Sequence, residues 1–335
     1  MRVGIAGVGF MGTTHAEGWA TTGARIVGFS AETVEEASPL AAHYGVKVFP
    51  DFEAMLSEVD VVDICTPTHL HHPLALLAAR AGKDIVCEKP LARTTQEARE
   101  MVSACQQAGV HLLAAHVVRF FPEYALAHSA VVDGQIGKVG LIRLHRGSYR
   151  PKKPAGNWFL DEDKSGGLLM DLMIHDYDYA RWIAGEVESV FAQKVTTAHP
   201  QAPIDYGLAI LRHTSGALSH IAGAWAYPPP TFRTSLEIFG DAGLIQFDSA
   251  ETAPILNLIQ KKTADSPDVG LPSSPVSESP YTTQIKEFYA ALCEERPTRI
   301  TAGDGLAAVQ IAEAAILSAQ TDQPITLEHL AEVNQ

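Results

Sequence analysis

The chain has 335 residues, 46% of them hydrophobic, which suits two buried cores and excludes a disordered or fibrous protein. Its formal net charge of −14 excludes nucleic acid and anionic membrane surfaces as expected partners, because an acidic surface repels phosphate. No apolar run reaches the ~18 residues of a membrane span, and the four cysteines are scattered without a C-x-x-C, so a cytoplasmic protein with free thiols is expected.

In the first third, short β-branched runs alternate with helical stretches. Strands are predicted at Val3–Ala6, Arg25–Phe29, Asp60–Cys65, Asp84–Cys87 and Val110–Val118. Helices are predicted between them at Thr13–Thr21, Ser38–Tyr44, Pro73–Arg80 and Thr94–Ala108, the last opening on a Thr-Thr-Gln-Glu capping pattern. This alternation implies α/β architecture: a Rossmann-type, doubly wound parallel sheet covered on both faces. After Pro122 the pattern changes. A helix at Tyr124–Val132 is followed by strand-like runs at Val139–Leu144, Val187–Thr196, Tyr206–Leu211, Ala217–Ala224, Thr234–Gly240 and Gly243–Asp248. One helix, Leu168–Ile183, interrupts them, and helices at Thr282–Glu294 and Gly303–Ala319 close the chain. The second part is therefore expected to be an α+β domain with a large, open, mostly antiparallel sheet. Residues 251–280, rich in Pro, Ser and Asp, read as a loop or weak strand. The boundary falls near 119–123, giving a cofactor domain over 1–120 and a second domain over 121–335; a single crossing would place a cleft between them.

Gly7-Val8-Gly9-Phe10-Met11-Gly12 is a G-x-G-x-x-G set between a strand and a helix. In that context Gly7 permits the turn, Gly9 lets a pyrophosphate approach the backbone, and Gly12 lets helix and strand pack closely. The following helix N-terminus offers N–H donors to phosphate. The acid that usually ends the second strand is missing: Phe29 is followed by Ser30, Ala31 and Glu32. Ser30 suits a ribose hydroxyl or a phosphate, and Glu32 is either a displaced ribose partner or simply exposed. No Arg or Lys follows nearby to balance a 2′-phosphate, which favours NAD over NADP while leaving NADP open.

Polar clusters lie where strands end. Thr66-Pro67-Thr68-His69-Leu70-His71-His72 follows one strand, Glu88-Lys89-Pro90 another, and Gly166-Gly167 leads into a helix carrying Asp171, His175, Asp176 and Asp178. The three histidines 69, 71 and 72 lack a carboxylate or cysteine at ligand spacing, so no metal is expected. Asp171 and His175 are four apart and share a helical face. Histidine titrates near neutrality and suits removal of a hydroxyl proton; the bland alternative is a helix histidine satisfied by Asp171 or Asp178.

The G-x-G-x-x-G, the C-T-P-x-x-x-H, the E-K-P and the G-G-x-x-x-D-x-x-x-H-D-x-D together resemble the Gfo/Idh/MocA family of glucose–fructose oxidoreductases and inositol dehydrogenases, over nearly the whole chain. The resemblance implies an NAD(P)-dependent enzyme that moves a hydride between nicotinamide and a sugar, cyclitol or related polyol. It implies Lys89, Asp171 and His175 as catalytic residues, with His175 as acid/base. It implies Gly7, Gly9, Phe10, Met11, Gly12, Ser30, Glu32, Thr66, Pro67, His71, Glu88 and Lys89 at the cofactor. His116, Arg119 and Trp158 join Lys89, Asp171 and His175 as expected substrate contacts, with Tyr149 and Arg150 at the rim. Pairing of Arg119 with an acid, and a core position for Trp158, stay open alternatives. A cis Lys89–Pro90 bond, and a homodimer or homotetramer formed through the open sheet, also rest on the resemblance. Two other outcomes remain: a member that retains NAD while hydrolysing or isomerising a sugar, and a non-catalytic NAD-binding sensor.

Overall fold

The short apolar runs of the N-terminal third pair into one parallel sheet in a computed structural model, which describes residues 1–154, 156–197, 204–250 and 278–333. Its strands are β1 (Arg2–Ala6), β2 (Arg25–Ser30), β3 (Lys47–Val48), β4 (Val61–Ile64), β5 (Asp84–Glu88) and β6 (Leu112–Ala115), in the order β3-β2-β1-β4-β5-β6. The intervening helices are α1 (Phe10–Ala20), α2 (Val34–Tyr44), α3 (Phe52–Leu56), α4 (His71–Arg80) and α5 (Thr95–Ala108). Every residue of β4 and β6 is buried, as a sheet covered on both faces requires. The strand order reverses between β1 and β4, the switch point at whose carboxyl edge open α/β sheets bind ligands. The expected cap of α5 is formed reciprocally: Thr94 accepts from the Glu97 N–H, and the Glu97 side chain accepts from the Thr94 N–H.

The strand expected over Val110–Val118 is shorter. After Ala115 the chain tightens into a 3₁₀ turn, Val117–Phe120, which buries Val117, Val118 and Phe120. α3 and the two-residue β3 went unpredicted, being too short to show a period.

The described residues form two units: those of 1–121 with 278–309, and those of 122–250 with 310–333. The chain thus passes from one to the other after Phe121, inside the expected 119–123 stretch, is back in the first unit where the described residues resume at 278, and passes again after Val309. The later two passages differ from the single crossing expected. Their cause is apolar. α9 (Pro280–Glu294) packs on α1, where Ile285 leaves no room for a side chain at Gly18, and Phe288 meets Phe120 edge to face at 6.1 Å. The following helix, α10 (Ala302–Thr321), contributes residues to both units.

The second unit holds a seven-stranded sheet of β7 (Val139–Ser148), β8 (Val187–Thr196), β9 (Asp205–His213), β10 (Leu218–Trp225), β11 (Arg233–Gly240), β12 (Leu244–Asp248) and β13 (Ile325–Thr326). The order is β12-β11-β7-β10-β9-β8-β13, antiparallel except for β7 beside β10. α6 (Pro122–Val132), the single turn α7 (Glu162–Ser165), α8 (Ile174–Ala184) and α11 (Leu327–Val333) complete the unit. The stretch expected as one helix, Leu168–Ile183, is two pieces. Leu168–Leu172 is a π-turn, closed by the Met173 N–H donating to the Leu168 carbonyl at 3.1 Å, and α8 starts after it. Met173 seats this junction on the sheet: its side chain fills the space a Cβ would take at Gly207 and Gly223, which are paired across β9 and β10. The loop expected over 251–280 lies almost wholly outside the described residues.

Candidate active site

In the first unit the glycine-rich turn has the shape a dinucleotide needs. Gly7 has φ +92°, and a Cβ there would sit 2.4 Å from the Cys65 carbonyl oxygen, so β1 and β4 approach too closely for any side chain. A Cβ at Gly12 would stand 1.9 Å from the Gly7 carbonyl, which explains the third glycine. At Gly9, by contrast, nothing lies within 4 Å. That open space borders the N-terminus of α1, which has no side-chain cap and no acid in its first turn. Its N–H groups suit a phosphate. Phe10 is half exposed beside them and Met11 is partly buried. Across the switch point, the Thr66 hydroxyl oxygen is buried without a hydrogen-bond partner, and Pro67 follows it, partly buried. An open cradle, uncapped donors and an orphaned hydroxyl together fit NAD. Ser30 is buried at the end of β2, where its carbonyl accepts from the Gly7 N–H at 2.9 Å; Glu32 is exposed just before α2.

Beneath this edge lies a polar network that the motifs did not reveal. His15 on α1 is fully buried, with Nδ1 2.9 and 3.0 Å from the Asp63 carboxylate oxygens and Nε2 3.1 Å from Glu88 Oε1. The Trp19 indole N–H donates to Asp63 at 2.7 Å. Glu88 was expected at the cofactor; its carboxylate instead faces His15 and accepts the Lys89 backbone N–H at 3.0 Å. Burial opposes a charge on His15 and the Asp63 carboxylate favours it, and the net effect holds the imidazole pKa well above its ordinary value. Burial pushes the Cys65 thiol upward, so it stays protonated and donates to Asp63 at 3.4 Å. His15, Asp63 and Cys65 lie close enough together to be grouped as metal ligands, and hydrogen bonds among them account for the cluster as it stands.

His71, also expected at the cofactor, is buried. Its ring spans two loops, with Nδ1 2.8 Å from the Pro90 carbonyl and Nε2 2.9 Å from the Thr66 carbonyl. It ties the C-T-P segment to the E-K-P segment. Burial lowers its pKa. The Lys89–Pro90 bond is cis, and Lys89 itself is only partly buried.

Arg119, expected at the substrate, and Tyr149, placed at the rim, are both buried. Arg119 is buried, donates to the Arg299 carbonyl at 2.7 Å and lies 3.3 Å from Asp304, so its guanidinium is engaged inside the first unit. The pairing left open from sequence is the one found. Tyr149 is 2% exposed and belongs to the core rather than a rim. His116 is buried at the end of β6.

In the second unit, Gly167 has φ +61° and ψ −159°, a conformation reserved for glycine, and it starts the π-turn. Along residues 165–180 every side chain is buried except Asp171 and His175. The buried majority anchors the segment; the two polar exceptions are partly buried. A π-turn inside a helical segment is itself common at functional sites. Next to His175, Asp176 is fully buried and receives both prongs of Arg146 from β7, at 2.9 Å each. A shallow depression nearby is lined by Gly167, Arg150, Phe159, Asp205 and Trp225, with Arg150 paired to Asp205 at 2.9 Å. Trp158 is partly buried, edge to face with Phe159 at 5.4 Å.

His15, Asp63 and Arg146 were missed. Signals existed for the first two: a carboxylate inside the apolar run DVVDIC, and a histidine three residues after Gly12 on the helix face toward the sheet. Arg146 gave none, because strand charges usually face water.

Comparison with known proteins identifies the family. Residues 1–116 match the model of an oxidoreductase family with an NAD-binding Rossmann fold, and residues 124–246 match the GFO/IDH/MocA C-terminal domain. Inositol 2-dehydrogenase of Rhizobium meliloti (strain 1021) is 27% identical over 98% of this chain and 99% of its own length. Among solved structures, GenD2 from gentamicin A biosynthesis, in complex with NAD, superposes with a TM-score of 0.84 at 26% identity, covering 97% of this chain and 96% of that one. Levoglucosan dehydrogenase, in complex with NADH and levoglucosan, gives a TM-score of 0.82 at 25% identity over 98% and 99%. The chain belongs to the Gfo/Idh/MocA family and is an NAD-dependent oxidoreductase.

Proposed function

We propose that the protein moves a hydride between NAD and a secondary alcohol carbon of a sugar or cyclitol, with Lys89, Asp171 and His175 as its catalytic residues. The observation that carries this reading is that Asp171 and His175 alone are only partly buried along an otherwise buried segment. When bound, NAD would supply the hydride acceptor or donor. In the oxidative direction His175 takes the hydroxyl proton as the C–H electron pair leaves, and the C–O bond becomes a carbonyl. The Lys89 amine hydrogen-bonds the reacting oxygen and offsets its developing negative charge. Asp171 orients the imidazole or binds a neighbouring hydroxyl. The same groups serve reduction in reverse, with His175 as acid.

The substrate class follows from relatives that act on inositol, levoglucosan and 1,5-anhydro-D-fructose. A panel of myo-inositol, scyllo-inositol, levoglucosan and 1,5-anhydro-D-fructose, run in both directions with NAD and NADP, tests it through nicotinamide absorbance. Turnover of at least one polyol is expected, lost in His175→Ala. Activity equal in wild type and His175→Ala would overturn the assignment.

The working form is a homodimer or homotetramer in the cytoplasm. Phe191, Val195, Tyr206, Leu208, Leu218 and Leu244 are all exposed, and the strand register places them on one face of the seven-stranded sheet. An apolar face of this kind favours a second copy. Light scattering at micromolar concentration checks it; a monomer would contradict it.

A further inference from the structure

The buried network under the glycine-rich turn has no part in the chemistry just proposed, yet it touches the Lys89 segment. Three elements of the first unit contribute one charge each: α1 brings His15, β4 brings Asp63, and the end of β5 brings Glu88. Both carboxylates are buried, Asp63 completely and Glu88 to 6% exposure. Two buried anions without a cation between them are costly. Each His15 ring nitrogen lies within 3.1 Å of a carboxylate oxygen, Nδ1 of Asp63 and Nε2 of Glu88, an arrangement that suits an imidazolium. Glu88 then has one oxygen at His15 and the other on the Lys89 backbone N–H at 3.0 Å. The remaining groups against the ring are the Cys65 thiol at 3.3 Å and, through Asp63, the Trp19 indole on the same helix.

We propose that His15 is a positioning residue for Lys89: clamped between Asp63 and Glu88, it holds the Glu88 carboxylate inward, and that carboxylate fixes the backbone from which the Lys89 amine projects. The catalytic meaning of the clamp rests on Lys89 acting as proposed above. Without the ring, Glu88 loses its inward partner, and a carboxylate free to turn toward solvent releases the Lys89 N–H.

Nuclear magnetic resonance of the NAD-loaded protein tests this without any sugar substrate. Ring ¹⁵N shifts of His15 should show both nitrogens protonated from pH 6 to 8; a neutral tautomer at pH 7 would overturn the clamp. Reductive methylation with ¹³C-formaldehyde labels the lysines, and Lys89→Arg assigns the Lys89 line. In His15→Gln that line should broaden or split, while the dissociation constant for NAD stays within about threefold. An unchanged Lys89 line in a folded His15→Gln would also overturn the proposal. If that variant fails to fold, Glu88→Gln cuts the same link from the other side and should alter both the Lys89 line and the His15 protonation; no change in either refutes the clamp. A merely structural His15 would lower thermal stability and leave the Lys89 line alone. Turnover by Lys89→Met is a separate readout: substantial activity there would remove lysine from catalysis and leave the clamp measurements standing.

Discussion

His15–Asp63–Glu88 in the first unit and Arg146–Asp176 in the second are both buried ionic groups beside a proposed catalytic residue, but they are built from different cations. Arg146 grips one carboxylate with two parallel bonds of 2.9 Å and keeps its charge at every accessible pH. His15 is shared between two carboxylates and can lose its charge. The arginine pair therefore fixes α8 permanently, whereas the histidine clamp weakens as pH rises. The surfaces differ too. On the segment over 165–180 only Asp171 and His175 escape burial, while at the glycine-rich edge the exposed feature is open space beside Gly9. One region presents side chains to chemistry and the other presents backbone to a cofactor.

Removing Arg146 should have the largest effect. Arg146→Met leaves Asp176 buried without its partner and should cost about 3–5 kcal/mol, read as a lower urea midpoint. A midpoint within error of wild type would show that α8 is held by Met173 and its apolar neighbours instead. Gly7→Ala should come next: the strained turn and the contact with the Cys65 carbonyl should weaken NAD binding about 100-fold, measured by fluorescence titration. Retained affinity would mean that β1 and β4 can part without loss of the cradle. The smallest effect separates the two ionic groups by pH. The folded His15 value lies above the unfolded one of about 6.5. Its stabilisation is therefore complete below about pH 6.5 and fades as pH rises through the folded value. The melting-temperature gap between wild type and His15→Gln should be widest near pH 6 and narrow upward, whereas the gap for Arg146→Met should stay flat. Parallel curves would erase the contrast.

Much of the fold was legible because parallel strands buried on both faces leave unbroken apolar runs, as at β4 and β6. The helix starting at Thr95 was legible through its cap. Long-range packing was not. Nothing near Ile285 or Phe288 announces that α9 rejoins the first unit, because the contact depends on a missing side chain at Gly18 and an aromatic at Phe120. The π-turn was equally hidden, since its apolar spacing matches an ordinary helix and its cause is the seating of Met173 against Gly207 and Gly223. Of the expected site, the glycine turn and the Asp171/His175 pair could be read from motifs. The inward turn of Glu88 and His71 and the engagement of Arg119 could not, because each depends on partners 19 to 185 residues away in sequence.

The decisive measurement is a paired one on His175→Ala, with turnover of the best polyol from the panel set beside the dissociation constant for NAD. Turnover should fall by about 10²–10⁴-fold while NAD binds as in wild type. Undiminished turnover, or losses of turnover and NAD affinity in equal proportion, would contradict a catalytic histidine on this segment.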